Sequence, residues 1–410
     1  MLESAEEVRY HVNRCSKCGS CREVCPVFLQ EGSEPWVARA RVQLAGAALE
    51  GQLPFSRRLG EIMDACLLCQ ACVAHCPNGV RVDELVLWAR AEGVKRRGLA
   101  PAKKVLLRGA LPSRRRLALL GRVAALCQRA GLLKSFRGRK LPAFHPLPFT
   151  RLFRPAKLEK PSLTVAYFVG CMTQYAYHQT GRAVLKVLEE NSVQVLLAGA
   201  GCCGMPALAA GDLKTARQLA RRNVESLKNL EADFIVTDCA TCGEMLKLYG
   251  RLLGGEAAKE VAARVQDISY FLVHTGGFLK GKIEVPLVVT YHDPCHLKRG
   301  QGVHAEPRQI LAGIPGLTLV EMPQSDVCCG LAGSFGFTHP ALSQKILKAK
   351  VGSIKATKAR AVVTGCPSCR LQLASGLAGE GLDLPVFHTV ELLAMSYGTE
   401  SMNMPPKEME

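Results

Sequence analysis

Acidic residues are absent from the chain between Glu92 and Glu159. Over residues 91–160, seven lysines and twelve arginines face only those two glutamates, a net +17 that accounts for nearly all of the +18 carried by the 410-residue chain. Aromatics are scarce as well, at 6% with 2 Trp. No nucleic-acid recognition module accompanies the basic charge, so no nucleic-acid partner is expected. No uncharged apolar run reaches the roughly 18 residues that a membrane-spanning helix needs. The first residues carry Glu3, Glu6 and Glu7 and no apolar core, unlike a secretory leader, so a cytoplasmic location is expected, where thiols stay reduced. No phosphate-cradling glycine loop is expected either, and neither flavin nor nicotinamide is expected to bind this chain. With 48% hydrophobic and 21% charged residues, the chain is folded rather than disordered. Its length favours two or three domains.

What is abundant is cysteine, at 19 residues. A disulfide framework belongs to small secreted domains and fits neither this length nor the missing leader. All but Cys127 fall into compact groups or pair with them, and metal ligation accounts for that pattern. Cys127 stands in an Ala/Leu-rich helical stretch and reads as a small core hydrophobe.

Cys15, Cys18, Cys21 and Cys25 precede Pro26; Cys66, Cys69, Cys72 and Cys76 precede Pro77. Both groups read C-x2-C-x2-C-x3-C-P, the run that ligates a pair of [4Fe-4S] clusters, with the fourth cysteine reaching across to the other cluster. The motif therefore assigns Cys15, Cys18, Cys21 and Cys76 to one cluster and Cys66, Cys69, Cys72 and Cys25 to the other. A zinc site would need only four ligands, not eight in two complete copies. Proline after the last cysteine keeps that residue extended and turns the chain away. His75 reads as a surface residue beside a cluster. The intervening stretch from Trp36 to Asp64 is rich in Ala, Leu, Arg and Glu and reads helical.

From Pro161 onward the sequence repeats itself once. LTVAYFVGC ends at Cys171, followed by Cys202, Cys203 and Gly204, then by Cys239 and Cys242 in VTDCATC; LVVTYHDPC ends at Cys295, followed by Cys328, Cys329 and Gly330, then by Cys366 and Cys369 in VTGCPSC. The spacings from first cysteine to pair are 31 and 33 residues. Such self-similarity sets the architecture before any other feature. In each copy β-rich runs (LTVAYFV, VQVLLAG, DFIVTD; LVVTYHD, LTLVEM, AVVTG) alternate with helical stretches, which implies a parallel sheet with its active loops at the strands' C-terminal ends. All five cysteines of a copy are expected to converge on one edge of its sheet, with Gly204 and Gly330 allowing close backbone approach.

The double C-xn-C-C-G-xm-C-x2-C pattern resembles the paired cysteine-rich (CCG) domains of heterodisulfide reductase catalytic subunits. The same domains occur in iron–sulfur subunits of glycolate oxidase, D-lactate dehydrogenase and anaerobic glycerol-3-phosphate dehydrogenase. YHDPCHLKRGQGV, CCGLAGSFGF and the closing HTVELL look most like the glycolate oxidase and D-lactate dehydrogenase subunits, and the 36–64 insertion resembles the all-helical ferredoxin domain of succinate dehydrogenase-like iron–sulfur subunits. The resemblance implies a multidomain α + α/β fold. An all-helical domain with two [4Fe-4S] clusters would span 1–98 and a basic linker 99–160, ahead of two duplicated α/β cysteine-rich domains over 161–283 and 284–400. It also implies one or two further iron–sulfur clusters. In the heterodisulfide reductase branch five-cysteine sets can hold a noncubane cluster; noncubane, ordinary cluster and zinc stay open for these copies. Function follows as an expectation: an electron-relay subunit of a flavin-linked glycolate or lactate dehydrogenase, with FAD in a partner subunit and a quinone or other carrier as acceptor. The rival is a reductase that cleaves a disulfide at its cysteine-rich domains.

His292 and His296 flank Cys295 and read either as hydrogen-bond donors or proton relays near a cluster, or as a strand-end residue and a solvent-facing one. Asp293 reads as a turn residue. The basic stretch, including SRRRLALLGRVAALCQRAGLLKSFRGRK, reads as an amphipathic helix. It would lie on the inner face of an anionic membrane, dock an acidic partner subunit, or serve as a solvated connector.

Overall fold

The computed structural model describes residues 4–133, 135–136, 138–198 and 201–398. Lys134 and Arg137 of the basic stretch, and residues 399–400 at the expected end of the second repeat, lie outside them. No strand occurs among the described residues before Ser135; the cysteine motifs there sit between short helices such as Ala38–Leu49, Arg57–Asp64 and Val82–Arg97. The expected helical reading of 36–64 thus resolves into two helices, divided where Gly51, at φ +75°, and Pro54 interrupt the run. Arg114–Arg129 forms the basic helix, followed by a hairpin of β1 (Ser135–Phe136) and β2 (Arg139–Lys140) that the sequence did not announce.

Each repeat forms a four-stranded parallel sheet. The first contains β3 (Leu163–Phe168), β4 (Val193–Ala198), β5 (Phe234–Thr237) and β6 (Val265–Asp267), in the order β4-β3-β5-β6. The second contains β7 (Leu287–Tyr291), β8 (Leu317–Leu319), β9 (Ala361–Val363) and β10 (Val386–Phe387), in the order β10-β9-β7-β8. Read within each repeat, both orders are 2-1-3-4, so the duplication seen in the cysteine spacing is a duplication of topology. The six apolar runs became strands. The fourth strand of each sheet was missed because it is only two or three residues long and has no apolar run behind it.

The repeats do not keep separate interiors. One cluster of buried side chains unites Val165, Val184 and Phe271 of the first repeat with Val289, Ile310 and Val390 of the second. Helix Thr389–Ser396, at the end of the second repeat, lies against helix His178–Glu190 of the first. Their contact includes the buried carboxylate of Glu391, which pairs with Arg370 at 2.6 Å and accepts from Thr180 at 2.6 Å.

The N-terminal domain is fixed to both repeats. Arg90, 9% exposed, donates to the carbonyl oxygens of Met63 (2.7 Å), Cys66 (2.6 Å) and, in the first repeat, Ala209 (2.6 Å). Gly211, at φ +79°, lets the chain pass so close that a Cβ there would stand 2.6 Å from the backbone of Arg90. Glu84 pairs with Arg251 at 2.9 Å, and Glu31 with Lys345 of the second repeat at 3.2 Å.

Truncating Arg90 takes the side-chain donor from the part-buried carbonyls of Cys66 and Ala209 and one of the donors from the buried carbonyl of Met63, each loss costing about 1–3 kcal/mol. Arg90→Met is therefore expected to lower the chain's stability to chemical denaturation by about 3 kcal/mol or more, with Arg90→Lys recovering only part of it. A loss below about 1 kcal/mol would show that the clamp is not structural.

Candidate functional site

The two N-terminal cysteine loops have the same backbone. In the first, Lys17 (φ +58°) and Gly19 (φ +92°) are left-handed; in the second, Leu68 (φ +54°) and Gln70 (φ +58°) occupy the matching positions. A non-glycine residue pays about 1–2 kcal/mol for that conformation, and the fold retains it three times to curl each loop around its sulfurs. Leu68 N–H donates to Cys66 Sγ at 3.4 Å. The thiols of Cys66, Cys69 and Cys25 all act electrostatically on Cys72 and, with burial, push it up. Cys25, from the first motif, lines one small cavity with Cys66, Cys69 and Cys72 of the second, and also acts on Cys21 of its own motif. Reciprocally, Asn78, two residues beyond Cys76, donates to Arg14 O and Ser16 Oγ at the first loop (2.9 and 3.0 Å). His75 is exposed beside Glu23, as expected.

In the repeats the first cysteine and the C-x2-C pair of each copy follow a strand directly, while Cys328 and Cys329 trail β8 by a loop. Cys171 and Cys295 open the helices after β3 and β7; Cys239 and Cys366 are the N-caps after β5 and β9, with Cys242 and Cys369 one turn in. Gly204 (φ +103°) and Gly330 (φ +87°) turn the chain behind each Cys-Cys pair and aim their N–H groups at Cys202 Sγ and Cys328 Sγ (3.4 and 3.5 Å).

The ten sulfurs make one run. Cys171 neighbours Cys202, Cys202 neighbours Cys203, Cys203 reaches Cys242, and Cys242 reaches Cys239. Cys239 then contacts Cys366 across the boundary between repeats, and Thr241 Oγ1 lies 3.6 Å from the same sulfur. Cys366 continues to Cys369, Cys369 to Cys329 at 3.5 Å, and Cys329 through Cys328 to Cys295. Beyond Cys295 the electrostatic contact is Cys69 of the N-terminal domain. Donated S–H bonds pull Cys203, Cys328 and Cys366 down, and their neighbours Cys242, Cys295, Cys329 and Cys369 are held up first by donating those bonds and then by burial. The two five-cysteine sets are therefore contiguous, with the second repeat's set between the first's and the N-terminal domain.

The surroundings of the sets differ. His292 is fully buried, its ring nitrogens find no hydrogen-bond partner among the described residues, and a ring nitrogen lies within 4.8 Å of Cys329 and Cys369 sulfur. Burial pushes it down to about 3, so the imidazole is neutral. The first repeat has Phe168 at the matching position. Lys350, 2% exposed, donates to Ser325 O at 3.3 Å and to Gln324 O; burial lowers it to about 8 while the thiols of Cys329 and Cys328 act to raise it. Beside the first repeat's pair stands the neutral Asn223, donating to Cys202 O at 3.0 Å. His296 does not face solvent: its Nδ1 lies 3.2 Å from Thr241 Oγ1 and 3.3 Å from Glu244 of the first repeat. Asp293 is held by Arg308 in a two-pronged ion pair (2.9 Å twice) between β7 and the helix that Cys295 opens.

Sequence reasoning missed Arg90, Lys350 and Arg139. Lys350 carried a signal, a cation on the apolar stripe Ile346-Leu347-Val351-Ile354 of its helix. Arg139 carried none: it is fully buried, donating to Gln372 Oε1 and Ser343 Oγ (3.0 and 2.9 Å), and Ser343 in turn donates to Gly330 O at 2.7 Å. The expectation that no phosphate-type glycine string exists also needs correction. Gly199, Gly201 and Gly204 spell Gly-x-Gly-x-x-Gly after β4. Gly199 and Ala200 lie outside the described residues, but the string contains Cys202 and Cys203 and leads only into the five-residue helix Met205–Ala209. It belongs to the cysteine site. Cys127 is half-buried and apart from every other cysteine group.

A cavity of about 130 Å³ opens where the three parts meet, bounded by Cys66, Cys295, His296, Cys328, Cys366 and Thr241 among others. Clustered soft thiols, loops strained into left-handed turns around them and an orphaned imidazole suit iron–sulfur groups.

Comparison with known proteins agrees. Residues 11–80 match a 4Fe-4S dicluster domain, and residues 165–247 and 289–374 each match a cysteine-rich domain. The probable glycolate oxidase iron-sulfur subunit of Bacillus subtilis is 30% identical over 94% of this chain and 94% of its own length. A subunit of the fumarate reductase (CoM/CoB) of Methanothermobacter marburgensis is 32% identical over 94% and 72%. A subunit of the dihydromethanophenazine:CoB--CoM heterodisulfide reductase of Methanosarcina barkeri is 30% identical over 94% and 94%. A crystal structure of a hypothetical protein from Helicobacter pylori shares the fold, with a TM-score of 0.53 over 97% of this chain and 77% of that one at 10% identity. The chain thus belongs to the family in which a 4Fe-4S dicluster domain precedes paired cysteine-rich domains, the family of glycolate oxidase iron–sulfur subunits and their heterodisulfide reductase counterparts, and it is an iron–sulfur electron-transfer subunit.

Proposed function

We propose that the chain is the relay subunit of a flavin-linked 2-hydroxyacid dehydrogenase acting on glycolate or lactate, with FAD in a partner subunit and a quinone or another carrier as acceptor. In this reading Cys15, Cys18, Cys21 and Cys76 hold one [4Fe-4S] cluster of a helical ferredoxin-type domain, and Cys66, Cys69, Cys72 and Cys25 hold the second. The five cysteines of each repeat hold a further cluster. The observation that carries it is the unbroken run of sulfurs from Cys69 through the second repeat to Cys171, which orders the sites as N-terminal domain, second repeat, first repeat. Iron–sulfur clusters supply one-electron storage and transfer. The residues of the chain do the rest. Arg90 and Arg299, which donates to Cys69 O at 3.4 Å and Asp326 O at 2.9 Å, hold the domains in register. The apolar walls exclude water, and Lys350 places a buried positive charge beside the second repeat's cysteine pair.

A second reading has its own support. The 130 Å³ cavity abuts the second repeat's cysteines, room for a small sulfur substrate, and a relative named for heterodisulfide reductase matches along nearly its whole length. Under that reading a thiol substrate added to the oxidised protein produces a new paramagnetic signal; under the relay reading it does not.

Three outcomes are expected. The isolated chain has no dehydrogenase activity and gains glycolate- or lactate-dependent dye reduction only with a co-purifying flavoprotein; activity of the chain alone, without flavin, would overturn the relay reading. Anaerobically assembled protein carries iron well above the roughly eight atoms of two cubanes, and replacing Cys295, Cys328 and Cys329 together by Ala removes the excess from the second repeat while the dicluster signal stays. Lys350→Met lowers the midpoint potential of that repeat's centre by tens of millivolts, because a nearby cation favours the more negative state, and Lys350→Arg restores it; a potential unmoved in both variants would rule out electrostatic tuning.

A further inference from the structure

Helix Arg114–Arg129 is amphipathic twice over. Its inner face, carrying Gly121 and Ala125, is buried, and Gly121 fits so closely that a Cβ would stand 2.8 Å from the Tyr175 ring of the first repeat. At 100° per residue, Leu119, Val123 and Leu126 fall on the opposite side within about a 60° arc. They are exposed, Leu119 and Leu126 to 59% each, and the fold makes no use of them. Arg115, Arg122 and Arg129 recur every seven residues and run as a row along one flank of this stripe; none has an ion-pair partner among the described residues. Exposed Val105, Leu106 and Leu132 continue the apolar character on the same segment. With no acidic residue between Glu92 and Glu159, nothing in the sequence around the stripe offsets its charge.

An outward apolar stripe edged by unpaired arginines on a rigidly seated helix is the chemistry of an interfacial helix on anionic lipid. An acidic protein surface would satisfy the arginines but gives no reason for leucines that project between them. We propose that this face docks the chain flat on an anionic phospholipid bilayer. Docking there also gives the run of sulfurs an end. Leu107 and Leu111, just upstream of the helix, pack on Cys202, and Tyr175, beneath Gly121, feels the charge of Cys171. The first repeat's cysteine set therefore lies behind the docking helix, at the other end of the sulfur run from Cys69. The membrane end of the run rests on the relay reading above; the docking itself does not.

The test is flotation of the full, cluster-loaded chain with phosphatidylcholine vesicles, with or without about one-third phosphatidylglycerol. The chain is expected to float with the anionic vesicles only, and to be released by high salt. Arg115→Gln/Arg122→Gln/Arg129→Gln should weaken partitioning on the order of a hundredfold, from about fivefold per arginine. Leu119→Gln/Val123→Gln/Leu126→Gln should weaken it at least about tenfold. All six positions are exposed, and an unchanged visible cluster spectrum certifies the fold of each variant. The proposal is overturned if the chain ignores anionic vesicles, if the leucine-face variant floats undiminished, or if these substitutions instead abolish binding of an acidic partner subunit while no vesicle binding exists. Flotation needs no electron donor, so its failure is separate from failure of the dehydrogenase reading, which is scored by activity with the flavoprotein.

Discussion

Crowding ten cysteine sulfurs into one largely buried seam is the constraint around which this molecule is built. Buried thiolates repel one another and lose their hydration, so each additional one is harder to ionise than the last. The fold answers with three devices. Backbone N–H groups at Gly204 and Gly330 point at sulfur. Neighbouring thiols donate to a chosen few, which are held low while the others stay high. Cations approach from beneath, Lys350 under one pair and Arg299 at the carbonyl of Cys69. Iron bound to these thiolates, as proposed above, would remove the conflict and let the loops keep backbone conformations that are otherwise disfavoured.

Duplication makes the departures between copies informative. The same topology and cysteine spacing stand in both, yet where the first repeat has Phe168 and Asn223 near its sulfurs, the second has His292 and Lys350. The second is also the copy whose cysteine set reaches a cysteine of the N-terminal domain, Cys295 to Cys69. Two equal scaffolds have been given unequal electrostatics, as two stations with different duties would require.

Much of this could be read from the chain. C-x2-C-x2-C-x3-C-P leaves little freedom because only tight loops bring three sulfurs together, and six apolar runs marked six of the eight strands described in the two parallel sheets. What could not be read was set by contacts distant in sequence. β6 and β10 are strands only because a neighbour supplies partners. Arg139 gains its meaning from Gln372 and Ser343, more than two hundred residues away. His296 looked free to face water until Thr241 and Glu244 of the other repeat were brought against it. The glycine string at 199–204 shows the converse hazard, a familiar spelling whose intervening residues give it another use.

The joint interior of the repeats has a bearing on biogenesis. Helix Thr389–Ser396 closes the apolar wall of the earlier repeat, and Glu391 within it receives both Thr180 and Arg370. During translation, therefore, the first half-sandwich emerges lacking a wall that is synthesised some two hundred residues later. The first repeat's interior stays unfinished until that helix has been made, so its cysteine nest reaches its final setting only once the second repeat has folded against it.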